Sequence, residues 1–201
     1  MEIYALTTAG LNPTTKKVQL YSKIRDLSSF SFLKRSAVKE MIKFVTRSSL
    51  QSLNRGDRCS AKEEDQMVHM QMSTKDDFIF CVFSTMDYPK RVAYNLLAEA
   101  VELFEQEVGE GWKNVTEDKD IKVTGFPELF KKYKNASNDQ LTQAQMKVDA
   151  TKDILVGNMK ELLERQGKLD ELVQKSDDLS GHTKVFYKNA KKTNKKCCTL
   201  I

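Results

Sequence analysis

Between Leu141 and Thr193, steps of alternately three and four residues meet an apolar side chain at ten of sixteen positions. The run passes through Leu155, Leu162, Leu169, Leu172, Leu179 and Phe186. That is a heptad seam, the period of helices that wrap around one another. A weaker stripe beside it (Ile154, Met159, Leu163, Val173) widens the apolar face toward what a multi-helix bundle needs. Gly157 and Gly167 each weaken an isolated helix by roughly 1 kcal/mol. The pattern predicts a long helix over 141–193, only marginally stable until another surface covers its seam.

The first two thirds of the chain carry other periods. Val18, Leu20, Ser22 and Ile24 alternate with Gln19, Tyr21, Lys23 and Arg25, the mark of a half-buried strand. Ile3–Thr8 pairs with it across the turn Asn12-Pro13-Thr14-Thr15. A helix over about 35–53 buries Val38, Met41, Ile42, Val45 and Leu53. At about 100° per residue, Phe44 lies to one side of that stripe. Three strands follow, near 58–62, 66–73 and 78–84. Val68, Met70 and Met72 point inward from the second, and the third is apolar almost throughout, so helices should cover both faces of the sheet. Asp87-Tyr88-Pro89 opens a long helix that buries Val92, Leu96, Leu97, Ala100, Val101, Phe104 and Val108. Phe126, Leu129, Phe130 and Tyr133 form one face of a third helix behind Pro127. The fold class is α+β, in the order ββαβββαα, with a five-stranded antiparallel sheet between helices.

Arg165 interrupts the seam. Buried among Leu162 and Leu169, a guanidinium costs several kcal/mol unless oxygens satisfy its five donors. In an ordinary coiled coil it would set register. The run Leu162-Leu163-Glu164-Arg165-Gln166-Gly167-Lys168-Leu169-Asp170-Glu171-Leu172-Val173 resembles the centre of an R-SNARE motif. The resemblance implies that Arg165 meets three Gln, one from each of three partner helices, in the central layer of a parallel bundle. Leu155, Leu162, Leu169, Leu172, Leu179 and Phe186 then supply the flanking layers. The element order before it resembles the longin domain, a profilin-like fold. Ser28-Ser29-Phe30-Ser31-Phe32, Arg35-Ser36-Ala37-Val38 and Tyr88-Pro89-Lys90-Arg91-Val92-Ala93-Tyr94 are similar to the Ykt-type members. That family's longin domain folds back on its SNARE motif, which makes Phe44 a contact for the seam or the lipid. The competing reading is that Phe44 only edges the domain core.

Charge and cysteines sharpen the picture at the tail. The net charge of +5 is mild, but Lys184, Lys188, Lys191, Lys192, Lys195 and Lys196 gather before Cys197 and Cys198. Cys198-Thr199-Leu200-Ile201 reads as a C-a-a-X prenylation box, and Cys197 as a second lipid acceptor, for palmitoyl or a second prenyl group. Family members mostly end in Met, so Ile201 leaves farnesyl and geranylgeranyl both open on Cys198. One lipid chain holds weakly and reversibly, whereas two signals anchor stably, and the lysines favour anionic lipid. No apolar run reaches 18 residues, and Met1-Glu2-Ile3-Tyr4 opens no signal peptide. Cysteine spacing fits neither a disulfide framework nor zinc, and a reduced cytosolic compartment follows.

Other chemistry is sparse. His69 and His182 stand alone and read as surface or strand residues, and Trp112 as a core or edge aromatic. No phosphate-binding loop, nucleophile elbow or metalloprotease motif is present, and the lysines lack interleaved stacking aromatics. No catalytic residue, metal ligand or cofactor is expected beyond the covalent lipids, and no nucleic-acid partner. The reading is a longin domain over 1–134, a linker over 135–140, an R-SNARE motif over 141–193 and a lipidation tail over 194–201. The resemblance implies three Q-SNARE helices, disassembly and tethering machinery, a prenyltransferase and the membrane as partners. It also implies the cytoplasmic face of Golgi, endosomal, vacuolar or autophagic membranes, with a cytosolic pool. The alternative is a soluble longin and coiled-coil regulator or coat-adaptor module that binds SNAREs without driving fusion.

Overall fold

The strand without alternation, β5 (Phe78–Thr85), lies inside the sheet and is covered on both faces. Phe78, Phe80 and Val82 enter one apolar cluster, and Ile79, Cys81 and Phe83 the other. The structure, a computed structural model, describes residues 1–136, 152–165 and 169–185, and only the backbone of 152–156. Its sheet has the order β2-β1-β5-β4-β3-β6. The hairpin of β1 (Ile3–Leu11) and β2 (Val18–Arg25) forms as expected. Asn12 closes its turn: Oδ1 accepts from the Thr14 and Thr15 amides at 2.9 and 2.7 Å. The same side chain donates to the Lys113 and Val115 carbonyls and so ties the turn to a distant loop. β3 (Asp57–Glu63) and β4 (Gln66–Met72) complete the antiparallel part.

One face is covered by α1 (Arg35–Ser52). The other is covered by α2 (Lys90–Val108), a 3-10 turn at Gly111–Asn114 and α3 (Phe126–Tyr133). Pro89 precedes α2, and Gly109 ends it at φ 51°, a conformation costly for a residue with a Cβ. Trp112 is a core aromatic, its ring centroid 5.8 Å from Tyr21 and 5.7 Å from Phe78. Asn135 still bridges to Glu2, so part of the stretch read as linker is attached to the domain; 137–140 lie outside the described residues.

Two features depart from the expected architecture. The sheet has six strands, because β6 (Lys152–Asn158) pairs parallel with β3. And the long helix expected over 141–193 is not formed by the described residues. After β6 come α4 (Met159–Glu164), α5 (Leu169–Lys175) and a helical turn at 181–185. Without partner helices the seam takes cover on the domain instead. Ile154-Leu155-Val156 carries strand propensity, and Gly157 weakens any helix through it. Asn158 then starts α4 afresh: its Oδ1 accepts from the Glu161 amide at 2.9 Å, while Glu161 Oε2 accepts from the Gly157 amide at 3.1 Å. The outer side of β3 is thereby occupied by β6, and carbonyls of the edge strand β2 at Leu20 and Tyr21 accept from the amides of Lys119 and Ile121.

Candidate functional site

The heptad seam meets the domain along α1 and the outer strand. Leu162, Leu169 and Leu179 of the seam are buried, together with Met159, Leu163 and Val173 of the stripe beside it. They share one cluster with Ile42, Phe44, Val45 and Leu50 of α1 and Cys59 and Ala61 of β3; Leu172 is partly buried against it. Burial of each such side chain contributes about 1.5–3 kcal/mol, and fixing each backbone residue costs about 1–2 kcal/mol.

Phe44 is only 2 % exposed. It lies off the stripe of Val38, Met41 and Ile42, yet it is buried because α1 faces two surfaces, the sheet and the returning segment. With Leu172 it lines a cleft of about 630 Å³ whose polar wall includes Arg47, Lys175 and Asp178. Arg165 has the opposite placement. It follows the last turn of α4, its side chain is 40 % exposed, and Nη2 stands 3.9 Å from Glu161 Oε1. Leu162 and Leu169, which flank it along the seam, are buried while it stays at the water, because α4 ends at Glu164. This avoids the cost of an unsatisfied buried guanidinium. Leu155 has its backbone in β6, opposite Ser60. Phe186, Cys197 and Cys198 lie outside the described residues.

Two α1 residues in this contact are absent from the sequence reading. Arg47 donates from Nε to Asp178 Oδ2 at 2.7 Å and from Nη2 to Asp178 Oδ1 at 3.3 Å. It also reaches Asp118 Oδ2 at 2.8 Å and the Val18 carbonyl. Burial alone would lower its pKa, but the two aspartates outweigh it and raise it. Glu40 Oε2 accepts from the Ser180 amide at 2.9 Å and from Thr183 Oγ1 at 2.7 Å. Burial works to raise the Glu40 pKa, and these hydrogen bonds overcome it and lower it. A signal was present: Glu40 and Arg47 stand four before and three after Phe44, the spacing of one helix face. Phe44 marked the second face of α1, and its two polar neighbours flank it.

Of the remaining reactive side chains, His182 is exposed, whereas His69, Cys59 and Cys81 belong to the core. His69 is a strand residue and buried, with Nδ1 2.7 Å from Ser60 Oγ and Nε2 3.2 Å from Ser84 Oγ. Burial pushes the Cys59 thiol up to about 12, despite nearby Arg165 and Lys90, and raises Cys81 as well. Neither is a nucleophile at neutral pH. Among the described residues no group of three His, Cys, Asp or Glu could hold a metal ion, and no helix is long and apolar enough to cross a membrane.

An α+β domain whose edge strand and first helix cover a heptad segment with one arginine in its seam defines a longin R-SNARE. Residues 140–200 match the family model for synaptobrevin, and residues 27–126 that for the regulated-SNARE-like domain. The chain is 34% identical to VAMP-like protein YKT61 of Arabidopsis thaliana and 33% identical to synaptobrevin homolog ykt6 of Schizosaccharomyces pombe. It is 32% identical to putative synaptobrevin homolog YKT6 of Dictyostelium discoideum. In each comparison 100% of both chains is covered. The chain belongs to the Ykt6-type longin R-SNARE family, whose members are SNARE proteins of membrane trafficking and not enzymes.

Proposed function

We propose that this R-SNARE drives fusion by zippering its 141–193 segment with three Q-SNARE helices, and that the longin domain holds the free chain closed. The observation that carries this reading is the burial of Leu162, Leu169 and Leu179 against α1 and the sheet. Those side chains are positions of the bundle seam, and they cannot face two partners at once. Closed chain and assembled bundle are therefore alternatives, and each ligand shifts the balance only by its preference for one of them. On assembly, segments that are strand and short helices here become one helix. Arg165 leaves the water for a central layer, where three amide oxygens satisfy it, with Leu155, Leu162, Leu169, Leu172, Leu179 and Phe186 in the layers around it.

The anchor in this reading is a prenyl group on Cys198, joined by palmitoyl or a second prenyl group on Cys197. With one chain in place the protein exchanges between cytosol and membrane, and with two it stays. A prenyltransferase, tethering factors and disassembly machinery complete the cycle, at Golgi, endosomal, vacuolar or autophagic membranes. Pull-down with three Q-helices tests the core of the proposal: Arg165 supports assembly and liposome fusion, and Arg165→Glu, which sets a carboxylate against amide oxygens, does not. Wild-type fusion by Arg165→Glu would remove Arg165 from the central layer.

A further inference from the structure

Zippering needs one uninterrupted helix along the seam, and the closed chain is interrupted between α5 and the helical turn at 181–185. We infer that Glu40 and Arg47 form a two-point clamp on α1 that holds this interruption open and so keeps the seam from becoming a continuous helix. The inference rests on the closed-state reading above, and names the side chains that enforce it.

Seven residues apart, Glu40 and Arg47 lie two turns from each other on one face of α1, about 10 Å along its axis. Between them they hold the middle of the break, at Asp178, and its far end, at Ser180 and Thr183. In a continuous helix the Ser180 amide would donate to the Ser176 carbonyl; here it donates to Glu40 at 2.9 Å. Glu40 thus removes a hydrogen bond that helix propagation requires. Thr183 Oγ1, on the same carboxylate oxygen at 2.7 Å, fixes where the helix resumes. At the other point Arg47 grips Asp178 through two nitrogens. Asp178 sits beside Leu179, and the grip directs Leu179 into the apolar cluster, where it is buried.

Release leaves no stranded charge. When Asp178 departs, Arg47 keeps Asp118 and the Val18 carbonyl. Glu40, on the half-exposed side of α1, can turn to water. A buried ion pair with a single partner on each side would resist opening strongly, because separation orphans both groups. This one exchanges one of two carboxylates. The clamp therefore blocks helix growth while the segment is docked, and lets go at modest cost once partner helices compete for the seam.

Amide hydrogen exchange on the full-length chain tests the clamp. Glu40→Ala and Asp178→Ala each remove two charge-assisted hydrogen bonds, and should speed exchange across 176–185 by at least about tenfold. Exchange across α4 should stay slow. Glu40→Gln, whose amide oxygen can still accept from the Ser180 amide and Thr183 Oγ1, should keep most of the protection that Glu40→Ala removes. Phe44→Glu is run beside them: if it fails to expose 152–185, the closed-state reading itself falls. If Phe44→Glu exposes that segment but the Glu40→Ala and Asp178→Ala variants leave 176–185 unchanged, or Glu40→Gln loses as much protection as Glu40→Ala, the clamp alone is overturned.

Discussion

Ser60 of β3 and Leu155 of β6 stand opposite each other in a parallel ladder, and Leu155 is also a position of the heptad seam. The same residue is a strand residue here and, in the assembly proposed above, a helix residue of the bundle. Propensity along 152–158 must therefore tilt the balance. Val156, off both the seam and its neighbouring stripe, is the place to test this. Val156→Ala favours helix by about 0.5 kcal/mol and weakens the strand by up to about 1 kcal/mol. The open fraction should rise several-fold, seen as faster amide exchange along β3. Unchanged exchange there would mean that β6 contributes nothing to closure.

Phe44→Glu places a carboxylate at a site that is 2 % exposed while the chain is closed. An unpaired charge there costs several kcal/mol, and that cost falls on the docked segment. The segment should leave before the domain unfolds, because departure returns position 44 to water. Limited proteolysis should then cut within 141–193 faster than in wild type, with the fold of 1–136 retained by circular dichroism. Equal cleavage rates would show that Phe44 does not hold the closed state.

Arg165→Leu should be nearly silent in the free chain. Its guanidinium is 40 % exposed and only 3.9 Å from Glu161, a surface pair of small value. Closed-state stability should change by less than about 0.5 kcal/mol. Bundle register or disassembly should change, and comparing thermal melts of the free chain with those of the assembled complex separates the two. A large loss in the free chain would contradict its exposed placement.

His69 should make the domain acid-sensitive. Burial, with Lys90 nearby, lowers its pKa from 6.5 to about 4. A depressed histidine pKa means that the unfolded chain binds the proton more readily, so stability is intact above about pH 6.5 and declines as pH falls toward 4. The loss should reach about 2 kcal/mol at pH 5. Urea titrations of wild type and His69→Gln across pH 7.5 to 5 check this: the variant should show a flatter dependence. Parallel curves would assign the acid loss to carboxylates such as Asp118, lowered against burial by Arg47 and the Leu20 amide.

Cys198→Ser should abolish prenylation and leave the protein cytosolic, since the C-a-a-X enzyme reads that cysteine alone. Cys197→Ser should give a prenylated protein that binds membranes transiently. Cell fractionation of the two variants decides, and stable membrane residence of Cys198→Ser protein would sink the lipid-anchor reading.

Much of the fold is legible in residue patterns because those patterns report local geometry. The unbroken apolar run Phe78–Phe83 announced a strand covered twice, and Pro89 and Gly109 bound α2 where they stand in the chain. The heptad and its one arginine were equally plain, since a repeat states which residues share a face once a helix exists. A repeat does not state whether the helix exists. That depends on which surface meets the seam, and in the free chain the available surface is an open β3 edge beside α1. Ile154–Asn158 consequently pairs as a strand, the helix starts afresh at Asn158, and the chain leaves helix again between Lys175 and the turn at 181–185. The burial of Phe44 was decided the same way, by a neighbour far along the chain rather than by its own helix period. So was the pairing of Arg47 with Asp178, which no spacing encodes, because hydrogen bonds between distant segments exist only when packing brings their donors and acceptors together.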